Sequence, residues 1–234
     1  MLVLTPQRLL RCYAKGRFPM ADGRHAPTVY LVDPEQRGIL PLDRLHVPRS
    51  LRRTIRRGRF ELTVDADFRA VIEACAETTP ARPSTWLNDG LIELYTALAR
   101  LGHAHSIEVH RAGRLVGGLY GVVLGSAFFG ESMFSREPDA SKVALVELVA
   151  RLRVGGFMLL DTQFVTEHLR RFGAVEIPRA TYLLRLQAAI DRPARFPTDP
   201  QGFARLLLDG SLPTAEAAGS SAATGSRQSS SQTS

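Results

Sequence analysis

Residues 105–134 constrain this chain more than any other stretch. His105 to His110 alternates polar and apolar side chains, and Arg111-Ala112-Gly113-Arg114 is a hairpin turn. Leu115 to Leu124 is extended and apolar, Gly125-Ser126 is a second tight turn, and Ala127 to Phe134 returns. Strands joined by turns this short lie side by side and antiparallel, as a β-meander. Gly117, Gly118 and Gly121 fall inside the second strand, where a glycine marks a bulge or a close backbone approach.

A helix and a buried strand after the meander make the fold mixed. Asp139 or Ser141 is placed to cap a helix that buries Val143, Leu145, Val146, Val149 and Leu152 and stops at Gly155-Gly156. Phe157 to Leu160 is then a short, wholly apolar strand of the fully buried kind. This order leaves three polar side chains in apolar company. Glu131 lies among Phe128, Phe129, Met133 and Phe134, and Asp161 and Gln163 end the buried strand. Each alone reads as a loop cap. Together, in a chain with a basic arm elsewhere, they suit a ligand with a cationic end and a polyanionic end. The chain carries no nucleophile elbow, Walker loop, zinc spacing or dinucleotide fingerprint. Chemistry here would therefore rest on positioning and hydrogen bonds, with no cofactor and no metal.

The basic arm is Arg44 to Arg59, RLHVPRSLRRTIRRGR, which holds no acid. Ser50 is placed to cap a helix there, with Leu51 and Ile55 on one face and Arg52, Arg53, Arg56 and Arg57 crowding the other. Like charges at these spacings repel. A polyanion across the helix would relieve the repulsion, which favours phosphate binding over a merely solvated face. The formal charge of +7 agrees with such a partner.

The other elements come from local signals. Thr5-Pro6 opens a helix with Leu9, Leu10 and Tyr13 on one face and Gly16 as its stop. Asp33-Pro34 and Arg37-Gly38 are turn signals, Thr28 to Val32 a short strand, and Phe60 to Val64 another. Asp65 or Asp67 caps a helix burying Phe68, Val71, Ile72 and Cys75, and Asn88 caps one burying Leu91, Ile92, Tyr95 and Leu98. Trp86, the single tryptophan, reads as a core residue beside that helix start. A last long helix runs through Tyr182, Leu183 and Leu186. Residues 209–234, nearly all Ser, Ala, Thr, Gly and Gln, form an expected disordered tail. Cys12 and Cys75 lack metal spacing and read as idle thiols. With no signal peptide and no apolar run of the roughly 18–20 residues a membrane helix needs, the expected location is cytoplasmic.

The segments YAKGRFPMAD, STWLND, GHAHSIEVH, GESMFSR, DASKVAL, LLDTQF and GAVEIPR, in this order over about residues 8–187, resemble the leucyl/phenylalanyl-tRNA–protein transferases. GESMFSR followed by DASK and DTQ makes the resemblance specific. It implies an α+β fold, that is a mixed α/β chain: a small N-terminal domain with the arginine-rich helix over residues 1–62, then an acyl-CoA N-acyltransferase-like catalytic domain over residues 63–208. It implies transfer of Leu or Phe (also Met) from aminoacyl-tRNA to the α-amine of proteins beginning with Arg or Lys, marking them for N-degron proteolysis.

The same resemblance implies the site. Asp161, Gln163 and Glu131 would be catalytic. Trp86 would contact the terminal adenosine of the tRNA rather than serve as core. Phe128 and Met133 would wall the aminoacyl pocket. Arg49, Arg52, Arg53, Arg56 and Arg57 would take acceptor-stem phosphates. Where the family typically has two tryptophans this chain has Tyr30-Leu31, and Tyr30 is the aromatic there able to stack. In the implied mechanism Asp161 orients Gln163, whose amide oxygen meets the incoming amine. A neutral amide is a very weak base, so that oxygen orients the amine while water or the tRNA hydroxyl carries the proton. Two other readings stay open: a CoA-dependent N-acetyltransferase of the same fold, and a basic RNA-binding module without activity. The first would need a pyrophosphate-cradling loop opening a helix, and the nearest match, Arg114 to Leu119, reads as strand.

Overall fold

The computed structural model describes residues 4–80, 83–200 and 202–213. The expected tail lies outside them from residue 214 on. The chain opens with α1 (Pro6–Ala14), where Thr5 Oγ1 accepts the Arg8 N–H at 3.3 Å. β1 (Phe18–Met20) and β2 (Tyr30–Val32) form a small antiparallel pair of their own. β3 (Gln36–Ile39) follows, then a 3-10 turn (Leu42–Arg44) and α2 (Arg49–Arg56). β4 (Glu61–Val64), α3 (Phe68–Ala76) and α4 (Asp89–Arg100) lead into the meander, which is β5 (Ala104–Arg111), β6 (Arg114–Leu124) and β7 (Ala127–Ser135). α5 (Ala140–Val154) carries the chain to β8 (Leu159–Gln163). α6 (Glu167–Arg170), β9 (Val175–Pro178), α7 (Arg179–Ile190) and α8 (Ala204–Leu208) complete it.

Seven strands form one sheet in the order β4-β5-β6-β7-β8-β3-β9. Every neighbouring pair is antiparallel except β7 and β8, which run parallel. A parallel pair needs a long crossover, and α5 supplies it. The two faces of the sheet bury separate cores. Leu9, Tyr13, Ile72, Tyr95 and Tyr182, from α1, α3, α4 and α7, meet on one face. Leu51, Val146, Leu148 and Leu169, from α2, α5 and α6, meet on the other.

Caps and turns agree with the sequence at Thr5, Asp67 and Asn88, each of which accepts a backbone N–H of its own first turn. Three local expectations differ. Arg37-Gly38 is not a turn: it lies inside β3, between β8 and β9, because a buried carboxylate across the sheet holds the arginine. The arginine-rich helix starts at Arg49, with Pro48 in the cap position and no side-chain cap from Ser50. Asp139 precedes α5 in a left-handed conformation (φ 74°), and its carboxylate turns instead to Thr54 and Lys142. β3 also means that the chain before residue 62 supplies a strand to the large sheet.

Candidate active site in the β7–β8 splay

β7 and β8 pair over three positions only, Ala127 with Leu159, Phe128 with Leu160 and Phe129 with Asp161. Beyond them the strands part, and a cavity of about 350 Å³ opens between Gly130–Met133 and Thr162–Phe164. Much of its wall is hydrocarbon, from Leu119, Met133, Leu145, Leu148, Leu160 and Leu169, with Thr162, Thr166 and His168 among them. The polar end holds Glu131 and Gln163, and Phe18, Trp86 and Phe164 stand as aromatics in the wall.

Asp161 sits behind this cavity and does not line it. It is fully buried, and its carboxylate accepts four hydrogen bonds. Arg37 approaches as a fork, Nε to Oδ1 at 2.9 Å and Nη2 to Oδ2 at 2.6 Å. The Tyr182 hydroxyl donates to Oδ2 at 2.7 Å, and the Gln163 N–H donates to Oδ1 at 2.8 Å. Arg37 in turn donates to the Gly16 carbonyl and lies between the rings of Phe18 and Tyr182, 4.5 and 4.6 Å from their centroids. Burial pulls the Arg37 guanidinium down, but the Asp161 charge and hydrogen bonds outweigh it and hold the group above its ordinary value. Burial first, then the same charge, pushes the Tyr182 phenol far up. A charge pair this deep persists because every polar atom of the carboxylate is engaged.

The consequence for Gln163 is conformational. Its φ is +55°, a left-handed conformation that non-glycine residues rarely adopt. The bond from its own N–H to Asp161 holds it there. The bend turns the side chain toward Glu131, and Gln163 Nε2 donates to Glu131 Oε1 at 3.2 Å. An ionised Glu131 can only accept, so the amide presents its nitrogen to the carboxylate and its oxygen away from it.

Glu131 has a different environment. Its other donors are the neutral hydroxyls of Tyr13 (2.7 Å) and Tyr95 (2.9 Å), which also touch each other at 2.8 Å. Burial raises its pKa to about 7; the two tyrosines oppose that, nearby Asp161 adds to it and Arg37 opposes it. Burial likewise pushes both phenols well up, so they remain donors. Glu131 is thus a carboxylate that binds a proton more readily than an exposed one, a property suited to receiving an ammonium group and taking its proton. The Tyr120 hydroxyl, Thr162 Oγ1 and His168 Nε2 also belong to cavity-lining residues, and these buried atoms carry no protein hydrogen bond. Burial first, then Lys142 and Arg171, depress the His168 pKa, which keeps it neutral.

The expected site residues thus divide. Glu131, Gln163, Trp86 and Met133 come together in the cavity. Trp86 is half-buried and edge-on to Tyr95 at 6.4 Å, part core and part cavity wall. Phe128 does not join them. It is fully buried on the α5 side against Phe157 and Phe196, and it lies over Gly121, where an added Cβ would meet its ring at 2.3 Å. The register shift at Tyr120/Gly121 decides which residues of β7 face which way. Tyr30 is 45% exposed on β2 and outside the cavity wall, although its cross-strand partner Met20 belongs to that wall. Arg49, Arg52, Arg53, Arg56 and Arg57 are exposed along α2, which packs on α5 and α8 away from the cavity lining. Arg56 reaches Asp209 at 3.1 Å and Arg52 donates to the Val47 carbonyl.

Four site residues escape the sequence reading: Tyr13, Arg37, Tyr95 and Tyr182. The tyrosines read as apolar helix faces and Arg37 as a turn. A signal existed in the tyrosines, because a buried phenol needs a hydrogen-bond partner. It did not say which one.

Comparison with known proteins places these residues in a family context. The family model described as leucyl/phenylalanyl-tRNA protein transferase matches residues 39–187, and the model of the N-terminal domain of the same transferases matches residues 3–35. A leucyl/phenylalanyl-tRNA–protein transferase of Paramagnetospirillum magneticum is 62% identical over 193 residues, which cover 82% of this chain and 92% of that protein. One from Maricaulis maris is 55% identical, with 83% and 90% covered. One from Phenylobacterium zucineum is also 55% identical, with 90% and 91% covered.

Proposed function

The chain belongs to the leucyl/phenylalanyl-tRNA protein transferase family, and from that premise we propose how it works as an aminoacyltransferase. It moves Leu or Phe from aminoacyl-tRNA to the N-terminus of a protein. The finer reading is that it also accepts Met, that acceptors begin with Arg or Lys, that the products are marked for N-degron proteolysis, and that it works in the cytoplasm, where charged tRNA is found. Among the described residues no helix is long and apolar enough to cross a membrane.

One observation carries the reading: the splay between β7 and β8 brings hydrocarbon side chains together with the Gln163 amide and the Glu131 carboxylate. The hydrocarbon end fits an uncharged aminoacyl side chain, and an unbranched Met133 in its wall adapts to Leu, Met and Phe. Trp86 fits the terminal adenosine, since it flanks the polar end where the ester must lie. The α2 arginines suit the acceptor-stem phosphates.

The ester is already activated, so the site has to orient an amine and let it lose a proton. Glu131 draws the incoming ammonium to the cavity as a charge partner and takes its first proton, which passes on to solvent and leaves the neutral amine. The Gln163 oxygen accepts a hydrogen bond from the neutral amine and aims its lone pair at the ester carbonyl. The C–N bond forms, the bond from the carbonyl carbon to the ribose oxygen breaks, and the amine proton passes to that oxygen directly or through water. Asp161 touches none of the reacting atoms. It is a positioning residue that holds Gln163 in its bend. The test is incubation with labelled Leu-tRNA and a peptide that begins with Arg. Label on the peptide is the expected result. Binding of tRNA without transfer would favour an RNA-binding module, and acetyl-CoA turnover would favour an N-acetyltransferase.

A further inference from the structure

The STWLND segment does more than carry Trp86. Trp86 lies in the cavity wall with Phe18, Pro19 and Met20 of β1, yet it stands outside any helix or strand. The loop that follows β1, residues 21–29, is equally irregular. Backbone groups in such segments take their partners from elsewhere in the fold, and here the two segments take them from each other. The Ala21 N–H donates to the Trp86 carbonyl at 3.0 Å, and the Asp89 N–H donates to the Arg24 carbonyl at 3.3 Å. On the outer side Arg24 Nε lies 2.9 Å from Asp89 Oδ1, and its Nη2 lies 2.8 Å from Glu73 Oε2 on α3.

Asn88 closes the joint from the inside. It is buried and uses both ends of its amide. Oδ1 accepts the Leu91 N–H at 2.9 Å, which caps α4, and Nδ2 donates to the Ala26 carbonyl at 2.8 Å. A cap needs only the first bond, and aspartate or serine would supply it equally well. The second bond crosses 62 residues of sequence and ties the loop after β1 to the turn that carries Trp86.

We propose that Asn88 is a positioning residue for the aminoacyl donor. Its Nδ2 bond, with Arg24 as the outer fastening, holds β1 and Trp86 as one wall and so sets where the terminal adenosine lies. This rests on the transferase reading above and on Trp86 as the contact of that adenosine.

Asn88→Ser and Asn88→Asp keep the cap oxygen and lose the donor to Ala26. Each is assayed in the full chain with leucyl-adenosine as donor and an Arg-initiated peptide as acceptor. KM for leucyl-adenosine is expected to rise about tenfold, as for a hydrogen bond lost at a buried amide, while kcat stays within about twofold. In a Trp86→Ala background the same changes should add less than about twofold, because the ring they position is gone. Trp86 is the single tryptophan, so its emission reports its place directly. Adenosine monophosphate should quench it in the parent protein and clearly less in both variants. Unchanged KM and quenching in the Asn88 variants, or a rise in KM that persists at full size in the Trp86→Ala background, would overturn the proposal. Should the Asn88 variants not fold, Arg24→Met removes the outer fastening at a partly exposed side chain and carries the same expectation and the same refutation. A parent protein that transfers leucine but shows no quenching sinks this proposal alone. No transfer even from Leu-tRNA sinks the transferase reading with it.

Discussion

Among the described residues, two arginine–carboxylate pairs are buried equally deeply, and they serve opposite ends. Arg37 and Asp161 are 1% and 0% exposed, and so are Arg151 and Glu147. The first pair joins strands 124 residues apart in the chain and holds Gln163 beside the cavity. The second lies within one helix, four residues apart. Glu147 accepts the Phe203 and Ala204 N–H groups, and Arg151 donates to the Pro197 and Asp199 carbonyls. It fastens the segment leading into α8, which packs on arginine-rich α2. The surroundings tip the two arginines in opposite directions. At Arg151 burial prevails over Glu147 and lowers the pKa, whereas at Arg37 the Asp161 partner prevails over burial. Depth of burial alone does not mark a functional charge. What the carboxylate holds in place does.

The sharpest way to break this contrast is Asp161→Asn. It keeps the size of the side chain and removes the charge that holds Arg37 and the Gln163 bend. We expect kcat for leucine transfer to fall by about 10²-fold or more, since a site misplaced by an ångström costs that much. KM for Leu-tRNA should stay within about twofold. Steady-state kinetics decide, and an equal loss in both would show that Asp161 serves donor binding instead.

Glu147→Ala should cost stability and leave the chemistry alone. It leaves Arg151 buried without its carboxylate and frees two backbone donors, a loss of about 3–5 kcal/mol in unfolding free energy. Below the melting transition kcat should be unchanged. Denaturant unfolding and assays at low temperature check both halves, and a folded but inactive variant would erase the distinction between the two pairs.

Glu131 offers a third comparison, a half-buried carboxylate that tyrosines hold instead of an arginine. Its folded pKa of about 7 lies above the ordinary 4.5, so the folded chain binds this proton more tightly than the unfolded one. The stability it lends is complete below pH 4.5 and is lost as the pH rises to about 7. The loss amounts to roughly 3 kcal/mol. Glu131→Gln should flatten that part of the profile, measured by chemical denaturation across the same window. An unchanged slope would place the titration elsewhere.

The smallest effect belongs to α2. Arg53→Ala with Arg57→Ala should raise KM for Leu-tRNA several-fold and lower the salt slope of tRNA binding by about two, one per lost phosphate contact. Transfer from a minimal aminoacyl-adenosine donor should not change. Loss with the minimal donor as well would tie the arginines to the site rather than to the RNA.

Much of this protein was legible in one dimension. The meander, the crossover helix and the caps at Thr5, Asp67 and Asn88 depend on residues within a few positions of one another, and their patterns are local. Glu131, Asp161 and Gln163 stood out because polar side chains in apolar strands have to be explained. The tertiary structure alone decided what they meet. Arg37 and Asp161 are 124 residues apart, and the placement of β3 beside β8 brings them together. Tyr13 and Tyr95 look like any half-apolar core residues until two helices aim their hydroxyls at one carboxylate. Phe128, paired with Val123, faces the α5-side core, and the register shift further along, between Tyr120 and Gly121, leaves Glu131 as the extra residue of β7. Periodicity reports which residues are buried, since burial comes from the regular geometry of each element. Which buried groups touch depends on strand order and register, and those are set by contacts between segments far apart in the chain.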